Sequence, residues 1–198
     1  MKIKLGLLAL ITSAHLAAFE VADLETEHLY LRKVVPADVQ DIARIALNPE
    51  VTKLTGMFSP MKTVEEVAAF TSKVLIGENG QPSQYPLVWA VVDKQQQGVI
   101  GIIAFVAYSE RHARGEIGYA FNQEFWGKGY ATQAAQAVIA YALQQGALRI
   151  YATVDPENGA SERVLQKIAM TYEGLMRSYM IINNKRVDRK LYALIAAL

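Results

Sequence analysis

The chain has 198 residues, 52% hydrophobic and 20% charged, a balance that fits one globular domain with a sizeable core and argues against disorder. Lys and Arg number 20 against 19 Asp and Glu, so the net charge of +1 offers no basic field for nucleic acid. The absence of cysteine excludes disulfides, thiolate metal sites and a Cys nucleophile, and the 3 histidines, His15, His28 and His112, stand without metal-ligand spacing.

The first residues have the layout of a secretory signal. Met1-Lys2-Ile3-Lys4 is basic, Leu5 to Ile11 is apolar, and Thr12-Ser13-Ala14 ends in small residues. The apolar run is too short for a membrane span, so no stable membrane insertion is expected. An extra N-terminal helix, or a start codon placed too early with Val21 as a later start, fits the same residues. Residues 1–22 are accordingly read as an extension and 23–198 as the domain. The cytoplasm is the expected location, with export the alternative if the signal is real.

From there the elements follow in order. His28 to Val34 alternates as a strand, and Pro36 opens a helix with Val39, Ile42, Ala43 and Ala46 on one face. A loop with Asn48-Pro49 and Ser59-Pro60 comes next. Thr63 with Glu66 forms a capping box for a second helix ending near Gly77. Gly80 to Pro86 is a polar turn. Leu87 to Asp93, Val99 to Tyr108 and Glu116 to Phe121 read as an antiparallel meander, turning at Asp93–Gly98 and Ser109–Gly115. A helix spans about Gly129 to Gln145, with Ala131, Ala134, Ala135, Val138 and Ala142 inward. Leu148 to Val154 is a strand with Leu148, Ile150, Ala152 and Val154 on one face. Asp155-Pro156-Glu157-Asn158 turns into a helix reaching about Met170. Strands near Glu173–Ile182 and Arg186–Ala196 meet at Asn183-Asn184. The order is β-α-α-β-β-β-α-β-α-β-β.

Phe125-Trp126-Gly127-Lys128-Gly129-Tyr130-Ala131-Thr132 is the most informative stretch. Two glycines at the mouth of a helix expose backbone N–H groups where the helix dipole is positive, a seat for an anion such as phosphate. The spacing is not that of a P-loop, and a third glycine and a preceding βαβ context are missing for a dinucleotide fold.

The remaining match is to the acyltransferase pattern Q/R-x-x-G-x-G/A, with Trp126 departing at its first place, Gly129 at the fourth and Ala131 at the sixth. Glu116-Ile117-Gly118-Tyr119 and Asn158-Gly159-Ala160-Ser161 extend the match. Weaker support comes from Tyr172-Glu173-Gly174-Leu175-Met176-Arg177 and Asp188-Arg189-Lys190-Leu191-Tyr192-Ala193-Leu194. From about Glu25 to Ile195 the chain resembles the RimJ/RimL branch of the GNAT N-acetyltransferase superfamily, which includes acetyltransferases of ribosomal-protein N-termini. The resemblance implies an α/β (α+β) fold, a mixed, mostly antiparallel sheet flanked by helices and splayed at its middle. It implies acetyl-CoA as cosubstrate, CoA as product, and a primary amine as acceptor. Contacts to the cosubstrate are implied for Tyr119, Ala120, Phe121, Trp126, Gly127, Lys128, Gly129, Tyr130, Ala131, Thr132, Asn158 and Ser161. The family often has Gly-Phe after the last helix, where Ala169-Met170 stands here. A monomer or homodimer is expected.

Acetyl transfer to an amine needs a neutral amine, a proton acceptor and a donor for the departing thiolate. Strand alternation sends Ile117, Tyr119 and Phe121 to one face and Glu116, Gly118 and Ala120 to the other. Glu116 thus shares its face with two small residues. In the resembled branch a glutamate here is a proposed general base; a solvated carboxylate paired with Arg114 is the structural alternative. Asn158 suits a helix N-cap and would place Ser161 in the first turn. The family's serine is a proposed acid, with Tyr172, Tyr179 and Tyr192 as competing donors. An α-amine, with a pKa of about 7.7–8.0, is roughly a tenth neutral at pH 7, whereas a lysine amine near 10.4 is almost wholly charged. An α-amine is therefore the easier acceptor. A small-molecule amine (an antibiotic, polyamine or amino acid) and a non-catalytic acyl-CoA-binding module are the rival readings. The stretch from Leu54 to Gln84 and the last hairpin are expected to shape the acceptor pocket.

Overall fold

The computed structural model describes residues 20–197 except 54, 56, 57, 59, 60, 78–86, 97 and 183. The signal-like stretch, Ser59-Pro60 and the Gly80 to Pro86 turn lie outside the described residues. At its start the described chain is already tied to the domain. Trp89 Nε1 donates to the Ala22 carbonyl (2.8 Å) and the Tyr141 hydroxyl to that of Glu20 (2.5 Å).

Eight strands form one sheet in the order β1-β2-β3-β4-β5-β6-β8-β7. They are β1 (Leu24–Glu25), β2 (Leu29–Lys33), β3 (Val88–Asp93), β4 (Val99–Ser109), β5 (Arg114–Phe121), β6 (Arg149–Val154), β7 (Thr171–Ile182) and β8 (Lys185–Ile195). Neighbours pair antiparallel except β5 and β6, which are parallel. A parallel pair needs a crossover, and α4 (Tyr130–Gln144) supplies it. The β5–β6 register covers Arg114↔Arg149, Gly115↔Ile150 and Glu116↔Tyr151 and no more. Beyond Glu116 the strands part, β5 staying with β4 and β6 with β8, and the sheet opens into a cleft.

Each face of the sheet buries its own core. On one, Ile117, Phe121, Ile150, Ala152 and Val154 pack with Ala134, Ala135, Val138 and Ala142 of α4 and Leu165 of α5 (Gly159–Lys167). On the other, Ala90, Ile102, Ala104 and Ala120 pack with Ile42, Ala43 and Ile45 of α1 (Val39–Ala46), Val51 of α2 (Pro49–Thr52) and Val67 of α3 (Val64–Phe70). The small residues on the α4 seam let the helix lie close to the sheet. Asp38, 4% exposed, anchors the entry to α1 by pairing with both Arg32 terminal nitrogens (2.7 and 2.8 Å) and accepting the Val35 N–H.

The Thr63–Glu66 capping box forms as the sequence predicts, and the helix runs on through a π-helical turn (Thr71–Ile76) to Gly77. Four details differ from expectation. Strand β1 is too short for an alternating pattern to reveal. Asn48-Pro49 starts a helical turn rather than a loop, because the Asn48 side chain caps Glu50 N–H with Pro49 at the first helical position. Leu148 precedes its strand and is 51% exposed, while Ile150, Ala152 and Val154 are buried as predicted.

The last helix stops at Lys167, and β7 begins at Thr171, earlier than read. Ala169 takes the left-handed conformation (φ 62°) and Met170 N–H returns to the Leu165 carbonyl at 3.0 Å, closing the helix end. The chain thus keeps at Ala169 the backbone turn that glycine would make without a Cβ penalty. We expect Ala169→Gly to stabilise the fold by about 0.5–1 kcal/mol, the left-handed strain relieved less the entropy glycine adds to the unfolded chain. Thermal unfolding followed by circular dichroism should show Tm rising by about 1–4 °C; a lower Tm would contradict it.

Candidate active site

Strand β5 is followed by a 3-10 turn, Gln123–Phe125, in which the Asn122 side chain accepts the Glu124 N–H. Trp126 folds back so that its indole N–H donates to the Phe121 carbonyl at 2.9 Å. Gly127 (φ 76°) and Gly129 (φ 81°) both lie in the left-handed region, and α4 begins immediately after. A Cβ built on either would meet no protein atom within 4 Å. Glycine is needed here for backbone conformation, and the space over the loop is open. No side chain caps this helix start, so its first-turn N–H groups face that space without an intrahelical acceptor. This is a cradle that a Cβ would intrude upon and that an anion would fill.

Side chains around the loop are held by the protein. The Lys128 ammonium sits 4.8 Å from the centre of the Phe125 ring. The Tyr130 hydroxyl bonds to the carboxylate of Asp93, 3% exposed, which also accepts the N–H groups of Gln95 and Gln96 at 2.8 and 3.1 Å. Burial pushes the Asp93 carboxyl up, but these bonds and the Lys128 charge bring it below the ordinary range.

The cleft between β5 and β6 holds a cavity of about 270 Å³. Glu116, Gly118, Tyr119, Asn158 and Ser161 line it together with residues from the α2–α3 connection and the last hairpin. Asn158 caps α5, its Oδ1 accepting Ser161 N–H at 3.0 Å. That cap aims Ser161 at β5, where its Oγ meets the Tyr119 hydroxyl at 2.8 Å. On the opposite face Glu116 accepts a hydrogen bond from Thr153 Oγ1 at 2.8 Å. Burial raises the Glu116 carboxyl above its ordinary value, against the lowering effect of Thr153 and of the Arg189 charge. Burial also pushes the Tyr119 phenol up to about 12, only partly offset by its bond to Ser161. One cavity therefore carries a carboxylate with enhanced basicity on one side and a hydroxyl pair that stays protonated on the other.

The residues named from sequence fall into two linked groups. Glu116, Tyr119, Asn158 and Ser161 meet in the cavity; Trp126 to Thr132 form the cradle at the far end of β5. Tyr119, Ala120 and Phe121 connect the two along the β5 edge that lacks a strand partner in the cleft. The Ala120 side chain is buried in the α1–α3 core and Phe121 against Gly101, so only their backbone faces that edge. The tyrosine placed on Ser161 is Tyr119, which sequence reasoning named as a cosubstrate contact and not among the competing donors. Tyr172 and Tyr192 meet with tilted rings 5.4 Å apart across the last hairpin, and Tyr179, 46% exposed, has its phenol raised by burial and further by the Glu116 charge. Thr55, Thr153 and Arg189 are additions that sequence reasoning missed. Arg189 is buried on β8 with its guanidinium 3.3 Å from Asp155. Among the described residues no group of three His, Cys, Asp or Glu could hold a metal ion, and no helix is long and apolar enough to cross a membrane.

The sequence and the fold match those of known proteins. A family model described as an acetyltransferase (GNAT) domain matches residues 28–171. The uncharacterized N-acetyltransferase YoaA of Bacillus subtilis (strain 168) is 31% identical over 175 residues, 87% of this chain and 96% of that protein. The crystal structure of a GNAT-family acetyltransferase from Bacillus anthracis superposes with a TM-score of 0.75 at 28% identity, covering 88% of this chain and 98% of that one. RimL, a ribosomal alpha-N-protein acetyltransferase solved in complex with coenzyme A, superposes at 0.74 with 21% identity, over 88% and 98%, a likeness of fold.

The raised Glu116 carboxyl has a consequence for stability. A folded-state pKa above the unfolded one makes a contribution that is full below the unfolded value and lost as pH rises through the folded one. Glu116→Gln removes that loss while keeping an oxygen for Thr153. The Tm of the variant relative to the parent should therefore climb as pH rises above the ordinary glutamate value of about 4.3. A difference that stays flat with rising pH, measured by calorimetry, would contradict the burial effect.

Proposed function

We propose that this chain, which belongs to the GNAT acetyltransferase family and is an acetyl-CoA-dependent N-acetyltransferase, acts on the α-amine at a protein or peptide N-terminus. The observation that carries the reading is the meeting of Glu116 from one face and the Tyr119–Ser161 pair from the other in one cavity. Acetyl-CoA supplies the activated acetyl group as a thioester. The amides from Gly127 to Thr132 would hold its pyrophosphate, since the loop over them is open, uncapped and of the right polarity. Asn158, at the mouth of α5, borders the same cavity. Lys128 adds a positive charge beside the loop.

Glu116 serves as the general base. The amine enters from its face, and its surplus proton goes to a Glu116 carboxylate oxygen, directly or through one water. Burial strengthens that base, and a raised carboxyl pKa suits proton transfer near neutral pH. Thr153 fixes the carboxylate's orientation without neutralising it. On the other face the Tyr119 hydroxyl, held by Ser161, gives a hydrogen bond or its proton to the departing sulfur. At a pKa of about 12 the phenol is fully protonated when needed. An ordinary thiol titrates near 8.5, so full transfer would be uphill in water; burial raises the thiol too and narrows that gap. The proton taken at Glu116 and the one given at sulfur balance, leaving an amide and a thiol.

Two considerations favour an α-amine. It is partly neutral at pH 7, so a single carboxylate suffices to complete deprotonation. The fold-level neighbour RimL is an alpha-N-protein acetyltransferase. The need for acetyl-CoA favours the cytoplasm over export.

A CoA-release assay over N-terminal peptides, amino acids, polyamines and aminoglycosides tests the acceptor. We expect the highest kcat/KM on peptides; turnover confined to polyamines or aminoglycosides would overturn the reading. Glu116→Gln should lower kcat by about 10²–10⁴ with little change in the KM for acetyl-CoA. Tyr119→Phe and Ser161→Ala should each lower kcat as well, and parental turnover in both would remove the acid from this pair.

A further inference from the structure

The cradle has an open start, and something other than a cap must hold it. Gly129 takes the cap position of α4 and has no side chain to give; the helix closes its first bond from the Gln133 N–H to the Gly129 carbonyl at 3.1 Å. A Ser, Asp or Asn cap would steady the turn, but by bonding the very N–H groups an anion would use. With left-handed glycines at Gly127 and Gly129, a helix start of this kind is prone to fray. The fold grips the turn by its side chains instead. The Thr26 hydroxyl, between β1 and β2, donates to the Gln133 side-chain oxygen at 3.0 Å and accepts the Leu29 N–H at 3.0 Å. The Tyr130 hydroxyl reaches the carboxylate of Asp93, the last residue of β3. Leu29 and Asp93 face each other in the β2–β3 register. Lys94 ties the two turns together, its ammonium donating to the Thr26 carbonyl at 2.7 Å and its backbone N–H to that of His28 at 3.0 Å. Two neighbouring turns thus hold α4 at its first and fourth residues, and their bonds to its side chains use none of its first-turn N–H groups.

We infer that Thr26 is a positioning residue for the cosubstrate: through Gln133 it holds the first turn of α4 so that the free N–H groups converge on the pyrophosphate of acetyl-CoA. The inference rests on the reading of the cradle given above and deepens it. A hydrogen bond weakens steeply as its donor turns away, so a helix start that wanders loses affinity for the pyrophosphate. The acetyl group and its thioester belong to the other end of β5, beside Glu116 and Tyr119, where this grip has no part. Thr26 therefore acts on donor affinity and leaves the chemical step alone.

The test compares acetyl-CoA with S-acetylpantetheine, which keeps the thioester arm and lacks the pyrophosphate and nucleotide, using one acceptor that the parent turns over. Thr26→Val should lower kcat/KM for acetyl-CoA about three- to tenfold, the worth of one hydrogen bond. The loss should lie in KM, with kcat within about twofold and kcat/KM for S-acetylpantetheine unchanged. Calorimetric titration of CoA, with no acceptor present, should show binding weakened by the same factor. Thr26→Ser, which keeps the hydroxyl, should match the parent. Gln133→Met should weaken acetyl-CoA as Thr26→Val does, and the double variant should be no worse than either alone, since both remove one interaction. A general disturbance of the fold would instead lower turnover with both donors alike. Equal losses on the two donors, additive effects of the two substitutions, or parental CoA affinity in Thr26→Val would overturn the inference while leaving the cradle standing. A parent with no preference for acetyl-CoA over S-acetylpantetheine would overturn both.

Discussion

The parting of β5 from β6 is the constraint on which the site depends. Two parallel strands share three residue pairs and then separate, each keeping an antiparallel partner on its outer side. At the last shared level, Glu116 and Thr153 span the gap with a hydrogen bond. Just below it, Gly115 lies against the Phe105 ring so closely that a Cβ would come within 2.4 Å of it, which pins the junction from the core side. Above it, the cap of α5 sets Ser161 against Tyr119, so the opening is bounded by side chains from both strands and one helix. The β5 edge past Glu116 is backbone without a strand partner in the cleft. Such an edge is costly unless water or a ligand completes it, and a site built this way is prepared for an extended ligand lying along the strand.

The opening also explains the electrostatics. In a continuous sheet, Glu116 and Tyr119 would project to opposite faces and have nothing to do with each other. Through the gap both border one cavity, and burial acts on both. It makes the carboxylate a better proton acceptor and keeps the phenol protonated. Arg189 moderates the first effect, preserving charge on Glu116 that burial alone would suppress. The proposed acid and base would thus be set apart by environment, with the sheet itself standing between them except at the gap.

What could be read from sequence was what is local. The glycine pair, the Asn158 cap with Ser161 three residues later, the Thr63–Glu66 box and the alternation around Glu116 are patterns within a few residues, and each formed. The Tyr119–Ser161 pair was not legible, because alternation assigned Tyr119 away from Glu116 and gave no hint that a gap would unite them. Thr153 and Arg189 reach the site through strand pairings set 37 and more residues away, which no local period encodes. Thr55 arrives from a connection whose composition carries no signature. At Ala169 the residue type points away from a left-handed turn, yet the backbone takes it, and the Met170 N–H closes the helix end on Leu165.

The two parts of the site also fix the shape of what can use them. From Glu116 to Phe121 the strand advances five residues, about 17 Å at roughly 3.3 Å per residue. The anion cradle begins just beyond, at Gly127, held to the strand end by the Trp126 indole on the Phe121 carbonyl. A donor clamped by phosphate at the cradle can present an acyl group between Glu116 and Tyr119 only if a long, slender arm joins the two. A small acyl phosphate bound at the loop would leave its acyl carbon far short of either residue. The spacing therefore favours a thioester on an extended carrier, and the unpaired β5 edge offers that carrier backbone groups along its whole length. In the proposed reaction β5 would act as the ruler: one end would hold the phosphate, the other the chemistry, and the core beneath would keep their separation constant.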